Sequence, residues 1–262
     1  MLMGIVNLTP DSFSGDGLVG DVDRAIQHAR QQFEVGSDIL DIGAESSRPG
    51  AIPTSEKDEL QRLLPVLEAI GGWGIPISVD TYKPAVMRAA LDAGASMIND
   101  IGGMQHPDAL SVVADSDCGV CVMHMQGEPG TMQASPRYQD VVAEVDVFLA
   151  NAVARCRQAG IADERLVVDP GFGFGKSLEH NLALFRALSD GCFRCHPVLV
   201  GVSRKSMLGE ITGRPVAERQ PASIAAALLA AQKGAKILRV HDVAATRDAL
   251  AVWSAVEKGK WQ

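Results

Sequence analysis

The sequence predicts a single α/β domain over residues 1–262, a (β/α)8 TIM barrel with its active site at the carboxyl ends of the strands. Eight short runs rich in β-branched residues alternate with eight longer helix-like segments, which is the order of such a barrel. A chain of 262 residues has the usual length for this fold and can bury a large core without disulfides. Helix-like segments end at Gly36, Gly94, Gly160 and Gly234 just before a strand, as is typical of helix C-caps.

The strands are predicted from their apolar, β-branched composition and the helices from the longer segments between and after them. The predicted strands lie at 2–8, 38–43, 76–81, 96–101, 119–124, 166–170, 198–203 and 236–241. The predicted helices lie at 21–36, 55–70, 83–93, 107–116, 138–159, 178–189, 219–233 and 242–257. Because each strand is followed by a helix, we expect a parallel sheet closed on itself.

Two nucleotide-binding alternatives fit the sequence less well. A doubly wound sheet that binds a dinucleotide would carry GxGxxG after its first strand, and residues 7–20 contain no such pattern. The stretch GFGFGKS at 171–177 places three residues between its first Gly and the Gly-Lys pair, whereas a Walker A loop needs four. We interpret this stretch as a turn that lets the backbone approach a ligand.

Composition and charge exclude several classes of protein. The 24 Lys and Arg against 32 Asp and Glu give a net charge of −8, which disfavours nucleic acid as a partner. The longest apolar run, 224–231, is far shorter than the roughly 20 residues of a membrane span, and no basic and apolar leader opens the chain. We therefore expect a cytoplasmic protein that binds no membrane.

The five cysteines also favour a reducing compartment, since an odd number in a chain of this size does not indicate a disulfide framework. Two CxxC pairs, Cys118 with Cys121 and Cys192 with Cys195, start or precede predicted strands. Their separation is not that of a zinc ribbon, so a zinc site is disfavoured.

Polar and ionisable residues follow almost every predicted strand, where a barrel has its active site. They are Asn7, Asp41, Glu45, Asp80, Asn99, Asp100, His124, Asp169, Ser203, Arg204, Lys205, Arg239 and His241. Any one of them could be a solvated strand end or a loop cap. Eight strands that end in this way point instead to one polar site.

The signs of these charges indicate the ligand. Asp80, Asn99 and Asp169 suit a planar molecule with a row of N–H donors. Arg239 and His241 end the last strand beside Asn7, because the barrel closes on itself, and this corner suits a phosphate or diphosphate with Mg2+. We expect the metal to arrive mainly on the phosphates of the ligand, which disfavours a two-metal hydrolase.

No nucleophile motif competes with this interpretation, since the sequence has neither GxSxG nor HExxH. His124 and His241 are candidate general bases, and a binding or structural role for each stays open. The site is predicted to work by positioning and charge stabilisation.

Seven blocks of sequence together resemble the dihydropteroate synthases. They are NLTPDSFS at 7–14, ESSRPG at 45–50, SVDT at 78–81, INDI at 98–101, DPGFGFGK at 169–176, VSRKS at 202–206 and RVHD at 239–242. The resemblance runs in order from near residue 4 to near residue 250. It implies the condensation of 6-hydroxymethyl-7,8-dihydropterin diphosphate with 4-aminobenzoate, which gives 7,8-dihydropteroate and diphosphate in folate biosynthesis.

The resemblance also implies roles for individual residues. It assigns the pterin to Asp80, Asn99, Met123, Asp169, Gly173, Lys205 and Arg239, and the diphosphate to Asn7, Arg48, Arg239 and His241, with Asn7 as the Mg2+ ligand. It assigns the aminobenzoate to Ser47, Pro49, Phe174 and Ser206, and catalysis to Asp11, Arg48, Asp80 and Lys205. Diphosphate would depart and leave a stabilised methylene cation that the arylamine attacks. Loops 9–20 and 45–54 are expected to close over the site, with Asp11 and Arg48 completing the closed state.

Some features depart from the family pattern. Ser47 stands where the family commonly has Thr, Tyr82 where a small polar residue is usual, and Gly102 and Gly103 soften the loop after the fourth strand. A pterin-binding methyltransferase domain and a non-catalytic pterin-binding module remain as alternatives. Arg48, Ser206 and His241 favour the synthase, because the methyltransferase domains need no diphosphate corner. Relatives are dimers, so we expect a homodimer. The helix at 221–232 is a candidate contact, although an apolar stripe of this kind is more often packed on the barrel.

Overall fold

Eight parallel strands form a barrel in the computed structural model, which describes residues 1–9, 22–47, 50–189 and 195–259. The strands are β1 (Leu2–Asn7), β2 (Ile39–Gly43), β3 (Ile77–Asp80), β4 (Met97–Asp100), β5 (Gly119–Met123), β6 (Leu166–Asp169), β7 (Leu199–Val200) and β8 (Ile237–Val240). Their order in the sheet is β6-β5-β4-β3-β2-β1-β8-β7. A parallel bridge between Val168 and Val198 joins β6 to the segment that leads into β7, so the sheet closes. The predicted barrel is confirmed.

Helices surround the strands in the predicted alternation. They are α1 (Val22–Glu34), α2 (Glu56–Ile70), α3 (Pro84–Asp92), α4 (Pro107–Ala114), α5 (Val141–Gln158), α6 (Leu178–Ala187), α7 (Ser206–Thr212), α8 (Gln220–Gln232) and α9 (Val243–Lys258). Short 3-10 turns follow at Gly71–Trp73, Asp163–Arg165 and Val216–Glu218. None of the described helices is long and apolar enough to cross a bilayer.

The structure differs from the predicted elements mainly around β7. This strand covers only Leu199–Val200, whereas the sequence predicts 198–203. The chain turns where the amide of Lys205 bonds the carbonyl of Val202, and Arg204 takes a positive φ of 58°, so the segment cannot stay extended. Helix α7 begins directly after this turn and is separate from α8. The predicted helices include 219–233, which corresponds to α8, but none that corresponds to α7.

The inside of the barrel is layered from apolar to polar. A closed apolar layer consists of Met3, Ile39, Met97, Cys121, Leu199 and Ile237, with Val167 packed against it. Nearer the carboxyl ends of the strands, Asp41 on β2 lies in register with Ser78 on β3. The next layer toward the carboxyl ends consists of four residues in register on β1 to β4, namely Asn7, Gly43, Asp80 and Asn99. The apolar layer is thus a floor beneath a polar chamber.

The first CxxC pair belongs to the core. Cys118 and Cys121 are free thiols and are both buried, and Cys121 forms part of the apolar floor. Burial raises the pKa of the Cys121 thiol well above its usual value, so this group stays neutral. Cys195 is exposed, and Cys192 lies outside the described residues. Within the described part of the chain, no three His, Cys, Asp or Glu side chains cluster as a metal site would need.

Candidate active site

A cavity of about 590 Å³ opens at the carboxyl ends of the strands. It is lined by Ile5, Asn7, Thr9, Glu45, Ser46, Ser47, Asp80, Met132, Gln133, Pro136, Gly173, Phe174, Lys176, Ser177, Leu178, Gly201, Ser203, Arg204, Lys205, Ser206, Glu210, Arg239 and His241. This volume falls within the range of pockets that enclose a small organic ligand. Its position at the carboxyl ends of the strands is also the position of the active site in barrels of this kind.

The structure brings most of the predicted site residues to this cavity. Nine of them line it, namely Asn7, Ser47, Asp80, Gly173, Phe174, Lys205, Ser206, Arg239 and His241. Asn99, Met123 and Asp169 are buried at the ends of β4, β5 and β6 and are not among the described lining residues. Asp11, Arg48 and Pro49 lie outside the described residues, as does most of loop 9–20.

One guanidinium joins two carboxylates at the centre of the site. Arg239 on β8 donates from Nε to Asp41 Oδ2 at 2.6 Å and from a terminal nitrogen to Asp80 Oδ2 at 2.8 Å. Asp41 is completely buried, and the other two side chains are 18–19% exposed. The fork of Arg239 is thereby fixed between the barrel interior and the cavity wall. Sequence reasoning placed Asp41 in the ring but missed this pairing.

Burial and charge set the ionisation of this group. Burial raises the pKa of Asp80 to about 7, because the buried carboxylate loses contact with water. The positive charge of Arg239 offsets this rise only in part, and the negative charge of Asp41 raises the pKa further. Burial opposes the charge of Arg239, yet the carboxylates of Asp41 and Asp80 outweigh it and raise the pKa of that guanidinium. Asp80 is thus the member of the group that changes charge near neutral pH.

Lys205 supplies a second cation from the turn after β7, the strand next to β8 with Arg239. Its ammonium donates to the carbonyl of Phe172 and lies 4.4 Å from the ring centroid of Phe174. Burial lowers the pKa of Lys205 to about 8, with the charge of Asp169 acting against this and that of Arg239 adding to it. Lys205 is therefore a donor that stays charged at neutral pH.

Asp169 and Asn99 complete the polar chamber from β6 and β4. Asp169 accepts the amide of Gly171 at 2.7 Å through Oδ1, which starts the turn after β6. Burial raises the pKa of Asp169, and Lys205 is the largest opposing charge. Asn99 pairs in register with Asp80 and Cys121 on the neighbouring strands. The sheet thus fixes the backbone positions of both residues at the ends of β4 and β6.

The Gly-rich stretch after β6 is tied down by a buried lysine. Lys176 Nζ lies 2.8 Å from His124 Nδ1 and donates to the carbonyls of Gly171 at 2.9 Å and Phe174 at 3.0 Å. Burial lowers the pKa of Lys176 to about 7 and that of His124 to about 3. His124 also meets the edge of the Phe148 ring at 4.9 Å between centroids. His124 is thus a buried neutral group, which favours its structural role.

The second candidate base, His241, lies at the other side of the cavity. Its Nδ1 is 2.9 Å from the hydroxyl of Ser203, and its carbonyl accepts from Gln32 at 2.9 Å. Next to it, the guanidinium of Arg204 forms a two-bond pair with Asp242, at 2.7 and 3.2 Å. The imidazole is therefore held in the wall while the guanidinium of Arg204 braces the start of α9.

Two acidic residues of the predicted ring serve loops. Asp100 accepts the amides of Gly102 and Met104, each at 2.7 Å, so it caps the turn after β4. Glu45 accepts from the amide of Thr54 at 3.0 Å and from Lys83 at 2.6 Å. These are the loop-cap alternatives that the sequence alone left open.

Two side-chain oxygens lie beside Gly43 at the corner between β1 and β3. Gly43 lies between Asn7 and Asp80, and a Cβ atom placed on it would lie 3.8 Å from both Asn7 Oδ1 and Asp80 Oδ2. One amide oxygen and one carboxylate oxygen are hard donors of the kind that Mg2+ accepts alongside water and phosphate oxygens. The residues present therefore fit a magnesium ion that keeps most of its ligands from elsewhere.

Comparison with known proteins identifies relatives over nearly the whole chain. The family model described as "Pterin binding enzyme" matches residues 3–241. The dihydropteroate synthase of Haemophilus influenzae is 50% identical over 255 residues, which cover 97% of this chain and 93% of the relative. The family match spans all eight described strands apart from Leu2, the first residue of β1.

Solved structures agree with the sequence match. A dihydropteroate synthase from Burkholderia cenocepacia, complexed with 7,8-dihydropteroate, has a TM-score of 0.90 at 50% identity and covers 99% of this chain and 92% of its own. One from Xanthomonas albilineans, with 4-aminobenzoic acid, has a TM-score of 0.91 at 50% identity and covers 98% of this chain and 93% of its own. The barrel is thus shared with enzymes of one kind.

Proposed function

The chain belongs to the pterin-binding enzymes and, within them, to the dihydropteroate synthases, and from this premise we propose how its residues carry out the reaction. The enzyme is a transferase that joins 6-hydroxymethyl-7,8-dihydropterin diphosphate to 4-aminobenzoate and releases diphosphate. The observation that carries the proposal is the placement of Asp80, Arg239 and Lys205 around one cavity of about 590 Å³. Two cations and a carboxylate there can hold a pterin and a leaving diphosphate together.

The pterin is proposed to bind over the apolar floor. The carboxylates of Asp80 and Asp169 and the amide of Asn99 accept from the N–H edge of the ring, while Lys205 donates to the ring oxygen and nitrogen. The guanidinium of Arg239, anchored by Asp41 at 2.6 Å, stacks on the face of the ring. Met123 and Gly173 are proposed to contact the same ring.

The diphosphate is proposed to occupy the corner formed by Asn7, Arg239 and His241, with Arg48 as a further ligand. Support comes from the position of the first three in the cavity wall and from the hard oxygen donors beside Gly43. Mg2+ held there by Asn7 would neutralise charge that develops on the departing diphosphate.

The aminobenzoate is proposed to bind between the loop after β2 and the Gly-rich turn. Ser47, Phe174 and Ser206 line the cavity at this end, and Pro49 is assigned by resemblance. The C–O bond to diphosphate breaks first and the oxygen takes the bonding electrons, which leaves a positive charge on the methylene carbon. The amine lone pair then forms the new C–N bond to that carbon. The amine then loses one proton to water. Asp80 stabilises the positive charge on the methylene carbon, and Asp11 and Arg48 are proposed to exclude water during this step.

We propose further that the whole chain is one pterin-binding domain, that it forms homodimers and that it works in the cytoplasm. Leu229 on α8 is 51% exposed, and Val252 and Val256 on α9 are 66% and 77% exposed. Apolar residues on two adjacent helices suit a contact between copies. The free thiols of Cys118, Cys121, Cys156 and Cys195 suit a reducing compartment.

The decisive experiment measures diphosphate release from 6-hydroxymethyl-7,8-dihydropterin diphosphate, with and without 4-aminobenzoate and Mg2+. We expect release that needs both and forms 7,8-dihydropteroate. Lys205→Ala should lower kcat roughly 100- to 1,000-fold, the usual loss for a group that stabilises developing charge. The exposed Lys236 at the amino end of β8 provides the control Lys236→Ala, which should keep wild-type turnover.

Two results would overturn the assignment of residues or function. Full activity of Lys205→Ala would remove Lys205 from the catalytic group. Tight binding of the pterin diphosphate without any product would favour a binding module or a methyltransferase-like domain.

A further inference from the structure

A buried lysine outside the proposed substrate contacts organises the loop after β2. Lys83 precedes α3, and its ammonium donates to Glu45 Oε2 at 2.6 Å, to Glu59 Oε2 at 2.6 Å and to the carbonyl of Thr54 at 2.5 Å. An ammonium has three N–H bonds, so all three are used. The three charged side chains are only 12%, 9% and 1% exposed for Lys83, Glu45 and Glu59.

These bonds converge on Glu45 from both sides of the loop. Glu45 Oε1 also accepts the amide of Thr54 at 3.0 Å and the hydroxyl of Tyr82 at 3.1 Å. Glu45 and Thr54 are nine residues apart, so Lys83 and Glu45 together hold the two ends of this segment in contact. Arg62 on α2 adds a bond to the carbonyl of Ala44 at 3.1 Å.

The held segment leads directly into the cavity wall. Glu45, Ser46 and Ser47 line the main cavity, and the same three residues line a smaller pocket next to Asp80, Thr81 and Tyr82. A buried ion pair contributes little net stability, because the cost of removing charges from water offsets their attraction. Such a network is therefore better suited to fixing one conformation than to raising stability.

We propose that Lys83 is a positioning residue: by binding Glu45, Thr54 and Glu59 it sets where Ser46 and Ser47 stand in the acceptor end of the cavity. Tyr82 assists through its hydroxyl, which donates to Glu45 Oε1 at 3.1 Å. The proposal rests on the proposed function in one respect, the assignment of Ser47 to the aminobenzoate. Of the proposed pterin contacts, Asp169 ends β6 and Lys205 follows β7, whereas Asp80 ends β3 three residues before Lys83. The side chain of Asp80 is held separately, by the guanidinium of Arg239 at 2.8 Å.

The test compares Lys83→Met, which removes the ammonium, with Lys83→Arg, Tyr82→Phe and the exposed control Lys57→Met. Lys83→Met should raise the KM for 4-aminobenzoate at least fivefold and leave the Kd of the pterin diphosphate within twofold. Lys83→Arg should restore most of the loss, and Tyr82→Phe should raise the same KM about twofold. Lys57→Met should match the wild type, since Lys57 is exposed on α2.

A readout apart from activity is amide hydrogen exchange. The Thr54 amide is bonded to Glu45, so its exchange should accelerate in Lys83→Met and return toward the wild-type rate in Lys83→Arg. If Lys83→Met fails to fold, Tyr82→Phe carries the test through the same KM and the same amide.

The outcomes separate the two proposals. If Lys83→Met accelerates exchange of the Thr54 amide but leaves the KM for 4-aminobenzoate unchanged, the role of Lys83 is overturned. An unchanged exchange rate in Lys83→Met would overturn it as well. Neither result would affect the proposed function. Equal losses of pterin and aminobenzoate affinity would likewise contradict it, because a positioning role is confined to the acceptor. Absence of aminobenzoate-dependent diphosphate release in the wild type would overturn the proposed function without any variant.

Discussion

At the scale of single residues, the site works by charges that are held before the substrates arrive. Arg239 is fixed by Asp41, which is completely buried, and so its second hydrogen-bonding arm reaches Asp80 without losing freedom on binding. Groups arranged in advance need little reorganisation when charge develops in the reaction. A ring of strand-end residues can therefore promote the reaction without a nucleophilic side chain of the enzyme.

The pH dependence of turnover follows from two of these residues. We expect kcat/KM for the pterin diphosphate to rise with pH through about 7, where Asp80 becomes an ionised acceptor, and to fall above about 8, where Lys205 loses its charge. Burial causes both shifts, upward for the acid and downward for the base. Initial rates of diphosphate release between pH 5.5 and 9.5 provide the measurement.

Lys205→Arg serves as the control for this profile. A guanidinium stays charged, so the descending limb should move to higher pH while the ascending limb stays near 7. An ascending limb that lies below pH 5 in the wild type would mean that Asp80 is ionised throughout and would contradict the assignment.

The sequence could predict the site residues that lie at strand ends or in the turns directly after them. Asn7, Asp80, Lys205, Arg239 and His241 close strands or the turns after them, and this placement alone brings them together. Whether a strand-end side chain faces the ligand depends on the loop that follows. Asp100 and Arg204 turn to local partners for that reason, and no pattern in the sequence records it.

At the scale of elements, the turn after β6 is the clearest case of sequence dictating shape. Gly171 has a φ of +69°, and a Cβ there would lie 1.8 Å from the carbonyl oxygen of His124. Gly213, at the end of α7, has a φ of +70° with open space around it. Alanine at either position would have a strained backbone, but only at Gly171 would its Cβ atom also clash with neighbouring atoms. Comparing the two positions therefore separates the two effects.

We expect Gly171→Ala to destabilise the protein by about 2 kcal/mol more than Gly213→Ala. Both changes place alanine in the left-handed region, at a cost of about 1 kcal/mol, and only the first forces neighbouring backbone to move. Urea unfolding gives both values. Equal losses would show that the turn after β6 yields without cost.

Most elements could be predicted because the alternation of β-branched runs and helical segments is regular. The exceptions are β7 and α7, where the apolar run through Val202 looks like a continuous strand. Its end is decided by the turn at Arg204 and by contacts such as that of the Arg204 amide with Ser223 at 2.9 Å, 19 residues away. Local composition does not contain that information.

At the scale of the whole molecule, a buried ammonium links stability to pH. The unfolded chain keeps a proton on Lys176 up to about pH 10, while burial lowers its pKa in the folded protein to about 7. The unfolded state thus binds more protons between these values, and the free energy of unfolding gains up to about 1.4 kcal/mol per pH unit from this group.

Lys176→Met should remove that gain. The difference in unfolding free energy between wild type and variant should grow in favour of the wild type as pH rises from 7 to 9, as measured by urea unfolding. Lys236→Met, at an exposed position, should keep the wild-type slope. A constant difference across this range would mean that Lys176 keeps its proton in the folded protein.

Closure of the barrel also orders events while the chain is being made. Strand β1 pairs with β8, and the hydrogen bond between Met1 and Lys236 spans 235 residues. Arg239 and Asp80 are 159 residues apart, so the ribosome releases both carboxylates of the central group long before their guanidinium. The pairing of β1 with β8 and the bonds of Asp41 and Asp80 to Arg239 therefore cannot form until nearly the whole chain has emerged. The substrate chamber therefore cannot be complete before β8 has emerged, and of the described elements only α9 follows it in the chain.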